Sequence, residues 1–266
     1  MKNNFAWLVL IFTALACNLT IPAATPIVES SPEITPTVQI DLSVTTPPLN
    51  AIIPPTLASG ASTAVTTEVE FPYINPSVGE MPAHSKYTLE NYLLVTSLHQ
   101  PYVLVFKASE YAGYSELTRG IVSALQTLDL SAGAPLPEPL KTGVFTAQVQ
   151  PIAFQNGRGL RYLTQSGQAP APANNYELFY YFQGLTTDGE YYLSAILPTS
   201  APFLVADENP ASPLPVDGIP FDYNNFDTLP QYFAAIAQKL NGASPETFAP
   251  SLTLLDTFVQ SFLIQP

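Results

Sequence analysis

The sequence predicts an α+β domain in which helices pack, sandwich-like, on an antiparallel sheet of about four to six strands. Residues 178–183 and 191–197 are strand-length runs that are apolar on both faces, which is typical of central strands covered on both sides. Between them, the pair Asp188 and Gly189 tolerates positive φ and predicts a tight antiparallel hairpin. Stretches with helical periodicity elsewhere in the chain predict the covering helices.

The elements before this hairpin are two strands and a helix. Residues 92–96 and 102–106 are rich in β-branched, aromatic and aliphatic side chains, and both predict strands. Ser115 predicts the N-cap of a helix that runs to about Leu128, because apolar residues recur on one face along it. This helix is expected to cover one face of the sheet.

Two more strands are predicted at residues 144–154 and 160–165. The pair Asn156 and Gly157 between them is a strong hairpin signal. Pro151 has no N–H to donate, so it marks part of the first run as an edge or a bulge. Together with the central hairpin, these strands predict a four-stranded antiparallel meander.

The last third of the chain predicts a loop and two helices. Residues 201–229 are rich in Pro, Asp and Asn and predict a long irregular surface loop. A helix is predicted from Pro230 to the stop signal at Asn241 and Gly242. A final helix is predicted from Pro250, with a wide apolar stripe that suits a sheet face.

The N-terminus has the pattern of an export signal. Lys2 precedes an apolar run at residues 5–15, and the chain then reads TALAC, ending at Cys17, the only cysteine. This stretch resembles the bacterial lipobox, which implies that residues 1–16 are a lipoprotein signal peptide and that lipid is attached to the Cys17 thiol. The alternative is an ordinary secretory peptide cut near Ala16.

Residues 17–70 predict a flexible stalk rich in Pro, Thr and Ser. No Lys, Arg or aromatic residue occurs from 18 to 69, so little apolar surface is available to offset the entropy of ordering the backbone. A single globular domain is then predicted over residues 71–266. The alternative for the stalk is that its scattered valines and isoleucines form an edge strand.

Composition and motifs exclude several classes of function. The formal net charge is −13 and the pI is about 4.3, so no basic surface is available for nucleic acid. No catalytic, nucleotide-binding or metal-binding motif is recognisable, which favours a non-enzymatic role without cofactor or metal. The two histidines, His84 and His99, lie in polar stretches and are predicted to be exposed loop residues.

Four residues are candidates for a binding surface. Arg158 and Arg161 stand out in so acidic a chain, and Arg161 is alternatively expected to pair with a carboxylate such as Glu177 across the sheet. Asp217 and Asp222 lie among several acids of the 201–229 loop. Such a loop could ligate calcium, although an ordinary solvated loop is the favoured interpretation.

Two segments carry a resemblance to known proteins. Residues 156–164, NGRGLRYLT, followed by residues 175–198, NYELFYYFQGLTTDGEYYLSAILP, resemble a pattern in uncharacterised lipoproteins and secreted proteins of bacteria. In addition, the predicted antiparallel sheet, if curved and closed by the predicted terminal helix, resembles the α/β/α sandwich of PsbP-like proteins. These resemblances imply a type of domain and not an activity.

The sequence therefore predicts a lipid-anchored protein that faces outside the cytoplasm, at the cell membrane or the outer membrane. Its partners are expected to be the membrane, through lipid on Cys17, and an envelope protein or polysaccharide. One alternative is an extracytoplasmic hydrolase of carbohydrate or peptide, and another is a structural spacer. A deep pocket with two convergent carboxylates would favour the hydrolase, whereas a flat aromatic patch would favour binding.

Overall fold

The computed structural model describes residues 49–66, 82–94, 96–129, 136–167 and 169–265. These residues form one seven-stranded antiparallel sheet, one two-stranded sheet and four α-helices. The predicted α+β fold with helices on an antiparallel sheet is confirmed. The larger sheet has seven strands, one more than the upper limit of the predicted range of four to six.

Nine strands occur in the described residues, and they are β1 Leu49–Asn50, β2 Gly60–Thr66, β3 His84–Glu90, β4 Tyr102–Lys107, β5 Ala147–Phe154, β6 Gly157–Gln165, β7 Leu178–Thr186, β8 Tyr191–Pro198 and β9 Leu263–Ile264. The helices are α1 Ala108–Tyr114, α2 Glu116–Gln126, α3 Leu229–Gly242 and α4 Leu252–Gln260. The order in the large sheet is β2-β3-β4-β8-β7-β6-β5, and β1 pairs with β9. The predicted meander is confirmed as β5 to β8.

The two central strands are buried on both faces, as their side chains predict. Every residue of β7 is buried, and so are all residues of β8 except the partly buried Tyr191. Helices α1 and α2 cover one face, while α3, α4 and the segment before β2 cover the other. Gly189 in the connecting turn has φ +77°, which confirms the predicted tight hairpin.

The predicted helices are confirmed, with local reasons for where they begin. The side chain of Ser115 accepts a hydrogen bond of 3.1 Å from Thr118 N, while Thr118 Oγ1 accepts one of 3.0 Å from Ser115 N. This reciprocal capping starts α2. Ser251 caps α4 in a simpler way, accepting from Leu254 N at 3.3 Å, and Pro230 stands in the first turn of α3.

The strand predicted at residues 92–96 is wrong. The strand in this region is β3, and the chain leaves it at Asn91, which has φ +52°. Tyr92 then turns into the core, where its hydroxyl donates to the Pro198 carbonyl over 2.9 Å. The aromatic side chain at Tyr92 therefore belongs to an anchored loop and not to a strand. The true strand, β3, is more polar, so its sequence gives a weaker strand signal.

The stalk prediction needs correction for residues 49–66. This segment is part of the fold: β1 pairs with β9, Leu57 is only 1% exposed, and β2 pairs along its whole length with β3. The alternative of an edge strand is therefore confirmed for β2. The remaining stalk residues, 17–48 and 67–70, lie outside the described residues, as do Cys17 and the predicted signal peptide.

The large sheet has two distinct ends. At what we call the loop end, β6 finishes, β7 begins and β8 finishes, and the 201–229 loop is bound there through Tyr176 N donating to Ala206 O over 3.0 Å. At the opposite hairpin end lie the β5–β6 and β7–β8 turns. Asn156 in the first of these turns bonds the backbone of Ile264, the partner of Leu49, so β1 and β9 lie at the hairpin end.

Candidate functional site

The four candidate residues of the sequence do not form one site. Arg158 lies near the hairpin end, and Arg161 is 1% exposed beneath α4. Asp217 and Asp222 are exposed in the 201–229 loop at the loop end. The structure therefore divides these residues among three places.

Arg161 forms a buried ion pair, but its partner is Asp256 of α4 and not Glu177. The guanidinium donates to both carboxylate oxygens, with Nε–Oδ1 at 3.1 Å and Nη2–Oδ2 at 3.2 Å. Its remaining donors reach Gln150 Oε1 at 2.7 Å and the Gln148 carbonyl, and the Tyr180 hydroxyl donates to Asp256 at 2.9 Å. Each of these groups bonds Arg161 or Asp256, so this cluster fastens α4 to the sheet.

Arg158 has a structural role at the end of a helix. Its Nη2 donates to the Gln126 carbonyl over 3.2 Å. This carbonyl lies at the C-terminus of α2, where the helix dipole stabilises a cation. A cleft of about 630 Å³ lies beside it, between α2 and the two hairpins. The carboxylate across that cleft, Asp188, accepts from Thr186 Oγ1 and Glu190 N, and these bonds lower its pKa. Arg158 thus serves a helix end and Asp188 a turn.

The two histidines are buried, which corrects their predicted exposure. His84 lies in β3 with its ring 5.0 Å from that of Phe106, and His99 meets Phe179 edge to face at 4.5 Å. Burial lowers the pKa of His99 to about 4, opposed by a backbone hydrogen bond at Glu177, so its ring is neutral at pH 7. In the described part of the chain, no cluster of three or more His, Cys, Asp or Glu could hold a metal ion.

A line of aromatic rings runs over the loop end and onto α3. We call it the aromatic surface, and its members are Phe145, Phe221, Tyr223, Phe226, Tyr232 and Phe233. Successive centroids lie 4.8 Å apart for Phe221–Tyr223, 5.0 Å for Phe221–Tyr232 and 5.3 Å for Tyr232–Phe233. Tyr223 is 37% and Phe226 48% exposed, so the line reaches solvent at one end.

The buried member of this line has a clear anchor. The Tyr232 hydroxyl accepts a hydrogen bond of 3.0 Å from Ala173 N in the segment that leads into β7. Because Tyr232 lies in the first turn of α3, this bond fixes the helix against the loop end. The exposed rings are therefore presented by a loop that rests on an anchored helix.

At its other end, the aromatic surface opens into a groove. This α3 groove, about 540 Å³ in volume, lies between α3 and the residues just before β5. Seven of its eight lining residues are apolar, and the eight are Val144, Phe145, Thr146, Leu229, Pro230, Phe233, Ala234 and Ala237. Phe145 and Phe233 belong to both features, with centroids 6.1 Å apart, so the groove adjoins the line of rings.

Acidic residues of the 201–229 loop border this surface. The pKa of the Tyr223 hydroxyl is raised by partial desolvation and then by the nearby Asp207 and Glu208 carboxylates. Asp222 and Asp227 directly adjoin Phe221 and Phe226 in the chain. An apolar surface with a negative border is the chemical character of the loop end.

Glu177 is a carboxyl group with a perturbed pKa in this region. It is half-buried where the chain enters β7, and burial followed by the carboxylate of Glu208 raises its pKa. Hydrogen bonds from Asn174 and Gln165 act in the opposite direction. A carboxyl group with a raised pKa beside a second carboxylate is the arrangement that general acid catalysis uses.

Sequence reasoning missed the aromatic surface, although a signal for it exists. The stretch FDYNNF at residues 221–226 places three aromatic residues in an otherwise polar loop. Aromatic side chains in a loop lack the periodicity that marks a core face, and only tertiary contact joins them to α3. Comparison of the chain with protein-family models, curated proteins and solved structures finds no match in any of the three.

Proposed function

We propose that this chain is a lipid-anchored binding protein outside the cytoplasm, held at the cell membrane or outer membrane by lipid on Cys17. Its binding site is the aromatic surface together with the α3 groove, and its partner is a segment of an envelope protein. One observation carries the proposal: the exposed Tyr223 is linked by ring contacts, through Phe221 and the buried Tyr232, to Phe233 in the lining of an apolar groove. Exposed aromatic rings beside an apolar groove are typical of interaction sites.

The chemistry of the site indicates the character of the partner segment. Apolar side chains would fill the α3 groove, as they do when an amphipathic helix binds a hydrophobic groove. Lys or Arg residues beside them would face Asp207, Glu208, Asp222 and Asp227, in a chain with net charge −13. Such charge complementarity favours encounter and orientation more than affinity.

The position of the entering chain supports this arrangement. The described fold begins at β1 at the hairpin end, whereas the aromatic surface lies at the loop end. Residues 18–48 lie between the proposed anchor and β1, and they span at most about 100 Å when fully extended. The proposed site therefore lies at the opposite end of the described fold from β1.

Binding of a synthetic peptide tests this proposal. The probe is an amphipathic helix with Leu at i, i+4 and i+7 and Lys on its other face, compared with a scrambled peptide and with one in which Glu replaces Lys. We expect the Lys peptide alone to bind in the micromolar range, and its affinity to fall as salt rises. Phe226→Ala should weaken binding about tenfold, because a contact aromatic is removed.

The matched control is Ile52→Ala, which removes an even more exposed apolar side chain far from the loop end. Equal binding of all three peptides, or equal loss in both variants, would contradict the proposal. If neutral oligosaccharides bind and Phe226→Ala abolishes that binding, the aromatic surface is still the binding site. The partner is then a polysaccharide and not a protein segment.

A hydrolase of carbohydrate or peptide is the second candidate, favoured only by the raised pKa of Glu177 beside Glu208. Chromogenic glycosides and peptides would reveal it, and Glu177→Gln should then reduce kcat at least about a hundredfold while Glu246→Gln leaves it unchanged. Turnover that survives Glu177→Gln would remove this candidate.

A further inference from the structure

The two edges of the large sheet differ in how they are protected. The edge strands of the order β2-β3-β4-β8-β7-β6-β5 are β2 and β5. The unpaired N–H and C=O groups of an edge strand can bind another strand, so most proteins block their edges with proline, charge, bulges or covering elements. In β5, Pro151 lacks a donor, Gln148 has φ +54° at a shift in register, and the Gln148 side chain donates to the Leu240 carbonyl of α3 over 2.8 Å. The β5 edge is therefore closed.

The β2 edge is open and regular. Its seven residues, GASTAVT, contain no proline and no charged side chain. They pair with β3 without a shift in register, and β2 pairs only with β3 among the described residues. Residues 61–65 are all exposed. A strand of this kind is suited to pairing with a further strand.

The hydrogen bonds of β3 show which backbone groups of β2 point outwards. Leu89 N donates over 3.0 Å to the carbonyl of Pro101, which lies just before β4. The backbone groups of the neighbouring Thr88 therefore point the other way, towards its partner Ser62 in β2. Because these directions alternate along a strand, the N–H and C=O groups that face away from the sheet are those of residues 61, 63 and 65.

A carboxylate lies beside this open edge at the start of β2. Gly60 pairs with Glu90, and Glu90 Oε2 lies 3.8 Å from the position that a Cβ on Gly60 would occupy. Since Gly60 has no side chain, the exposed Glu90 carboxylate is accessible across it from outside the sheet. The ammonium of Lys86 in β3 instead lies over the Tyr102 ring of β4, 5.0 Å from its centroid and on the side away from β2. The charge that borders Gly60 is therefore negative.

The sequence around β2 is acidic as well. Between Lys2 and Lys86 the chain contains six Asp and Glu residues and neither Lys nor Arg. Two of the six, Glu68 and Glu70, follow β2 within four residues. Because like charges repel and opposite charges attract, this part of the chain favours a cationic partner and disfavours a second copy of itself.

We propose that β2 is the docking site for an extended basic segment of another protein, which adds an eighth strand to the sheet, antiparallel to β2. The outward N–H and C=O groups of residues 61, 63 and 65 bond the backbone of the added strand. A Lys or Arg opposite Gly60 extends over this glycine and pairs with the Glu90 carboxylate. In strand addition of this kind, main-chain hydrogen bonds provide affinity and side chains provide specificity.

The orientation and strength of this contact follow from the sheet. All its strand pairs are antiparallel, and an antiparallel addition continues that pattern. A single short strand buries less than the roughly 1,200–2,000 Å² typical of stable complexes, so we expect a Kd between about 10 μM and 1 mM. The site is independent of the proposed function, because the α3 groove lies beside β5 at the opposite edge.

Titration of the full chain carrying Cys17→Ser with a synthetic peptide tests the proposal. The probe is an acetylated peptide of alternating Thr and Val with Lys at the C-terminal position that faces Gly60. One control peptide has Glu in place of Lys, and the other has N-methyl groups on the nitrogens that would bond β2. By fluorescence anisotropy, each control should bind at least about tenfold more weakly than the Lys peptide.

Hydrogen exchange locates the bound peptide. In the complex, amide exchange should slow at residues 61, 63 and 65, because their N–H groups become bonded only when a strand is added. The amides of residues 62 and 64 face β3 and should change little. Unchanged exchange at residues 61, 63 and 65 would overturn the proposal.

Two variants test the residues that define the site. Glu90→Gln should weaken binding of the Lys peptide about threefold and reduce its salt dependence, because the ion pair is lost. Glu246→Gln changes an exposed carboxylate near the β5 edge and should have no effect. Thr63→Pro should weaken binding at least about tenfold, because it removes an outward N–H and no bond to β3. Thermal melts of each variant confirm that it is folded before comparison.

Three further outcomes would overturn the proposal. The first is no binding of the Lys peptide up to about 1 mM, or equal binding of the Lys and Glu peptides. The second is loss of binding in Phe226→Ala, which would place the peptide on the aromatic surface. The third is self-association of the chain that Thr63→Pro abolishes, which would show that a second copy occupies the β2 edge.

Discussion

At the scale of single residues, burial decides the role of each charged or titratable group. Arg161 is held out of water in a cluster bonded to Asp256, whereas Asp222 accepts a bond from Asn224 N at an exposed turn. His99 is neutral because its surroundings disfavour the cation. Asp256 and Asp222 are the same residue type, and their surroundings alone give them different roles.

Asp256→Ala is expected to destabilise the protein by about 3–5 kcal/mol, because Arg161 would be left buried without its carboxylate. Urea denaturation measures this change in the free energy of unfolding. Asp222→Ala is the matched control at an exposed position and should stay within about 0.5 kcal/mol of the parent. A cost below about 1 kcal/mol for Asp256→Ala would contradict the assigned role of the pair.

His99→Gln is expected to flatten the acid dependence of stability. The folded pKa of about 4 lies below the ordinary 6.5, so the stability linked to His99 is present above pH 6.5 and is lost as pH falls towards 4. The parent should therefore lose about 3 kcal/mol more than the variant across this window. Chemical denaturation at several pH values between neutral and the folded pKa measures the difference, and parallel curves would contradict it.

At the scale of elements, the β7–β8 hairpin organises the sheet. Its strands lie between β4 and β6, and their side chains enter the cores on both faces. The turn depends on Gly189, whose positive φ costs nothing without a Cβ, and on Asp188, which accepts from Glu190 N. Local turn chemistry therefore aligns two strands whose side chains pack into both cores.

Gly189→Ala is expected to cost about 1–3 kcal/mol, since a Cβ would strain the backbone at φ +77° although it would meet no atom within 4 Å. Gly113→Ala is a matched control in α1, where a Cβ also meets nothing but the backbone is helical. There the change should stabilise by about 0.5–1 kcal/mol. Thermal melts should thus shift in opposite directions, and equal shifts would show that strain at Gly189 is absent.

At the scale of the whole molecule, different ends and edges carry different roles. The paired strands β1 and β9 lie at the hairpin end, and the aromatic surface lies at the loop end. β2 forms the sheet edge opposite the α3 groove. Within the described ranges, no helix has both the length and the apolar character needed to cross a membrane. The membrane attachment that we propose is the lipid on Cys17.

Cys17→Ser is expected to move the protein from the membrane fraction to the soluble fraction, because one thiol would carry the whole lipid anchor. Fractionation followed by immunoblotting measures this shift, and labelling with a fatty acid should be lost in the same variant. The parent chain provides the membrane-bound reference. Retention of Cys17→Ser in the membrane would contradict the anchor.

Local sequence was enough to predict the β5–β8 meander, the turn at Gly189 and helices α2, α3 and α4, because turns, caps and periodicity are read within a few residues. Long-range packing instead set the pairing of Arg161 with Asp256, 95 residues away, and brought residues 49–66 into the fold. It also joined the rings of the 201–229 loop to α3. These contacts depend on which distant segments the topology brings together, and local spacing carries no record of that.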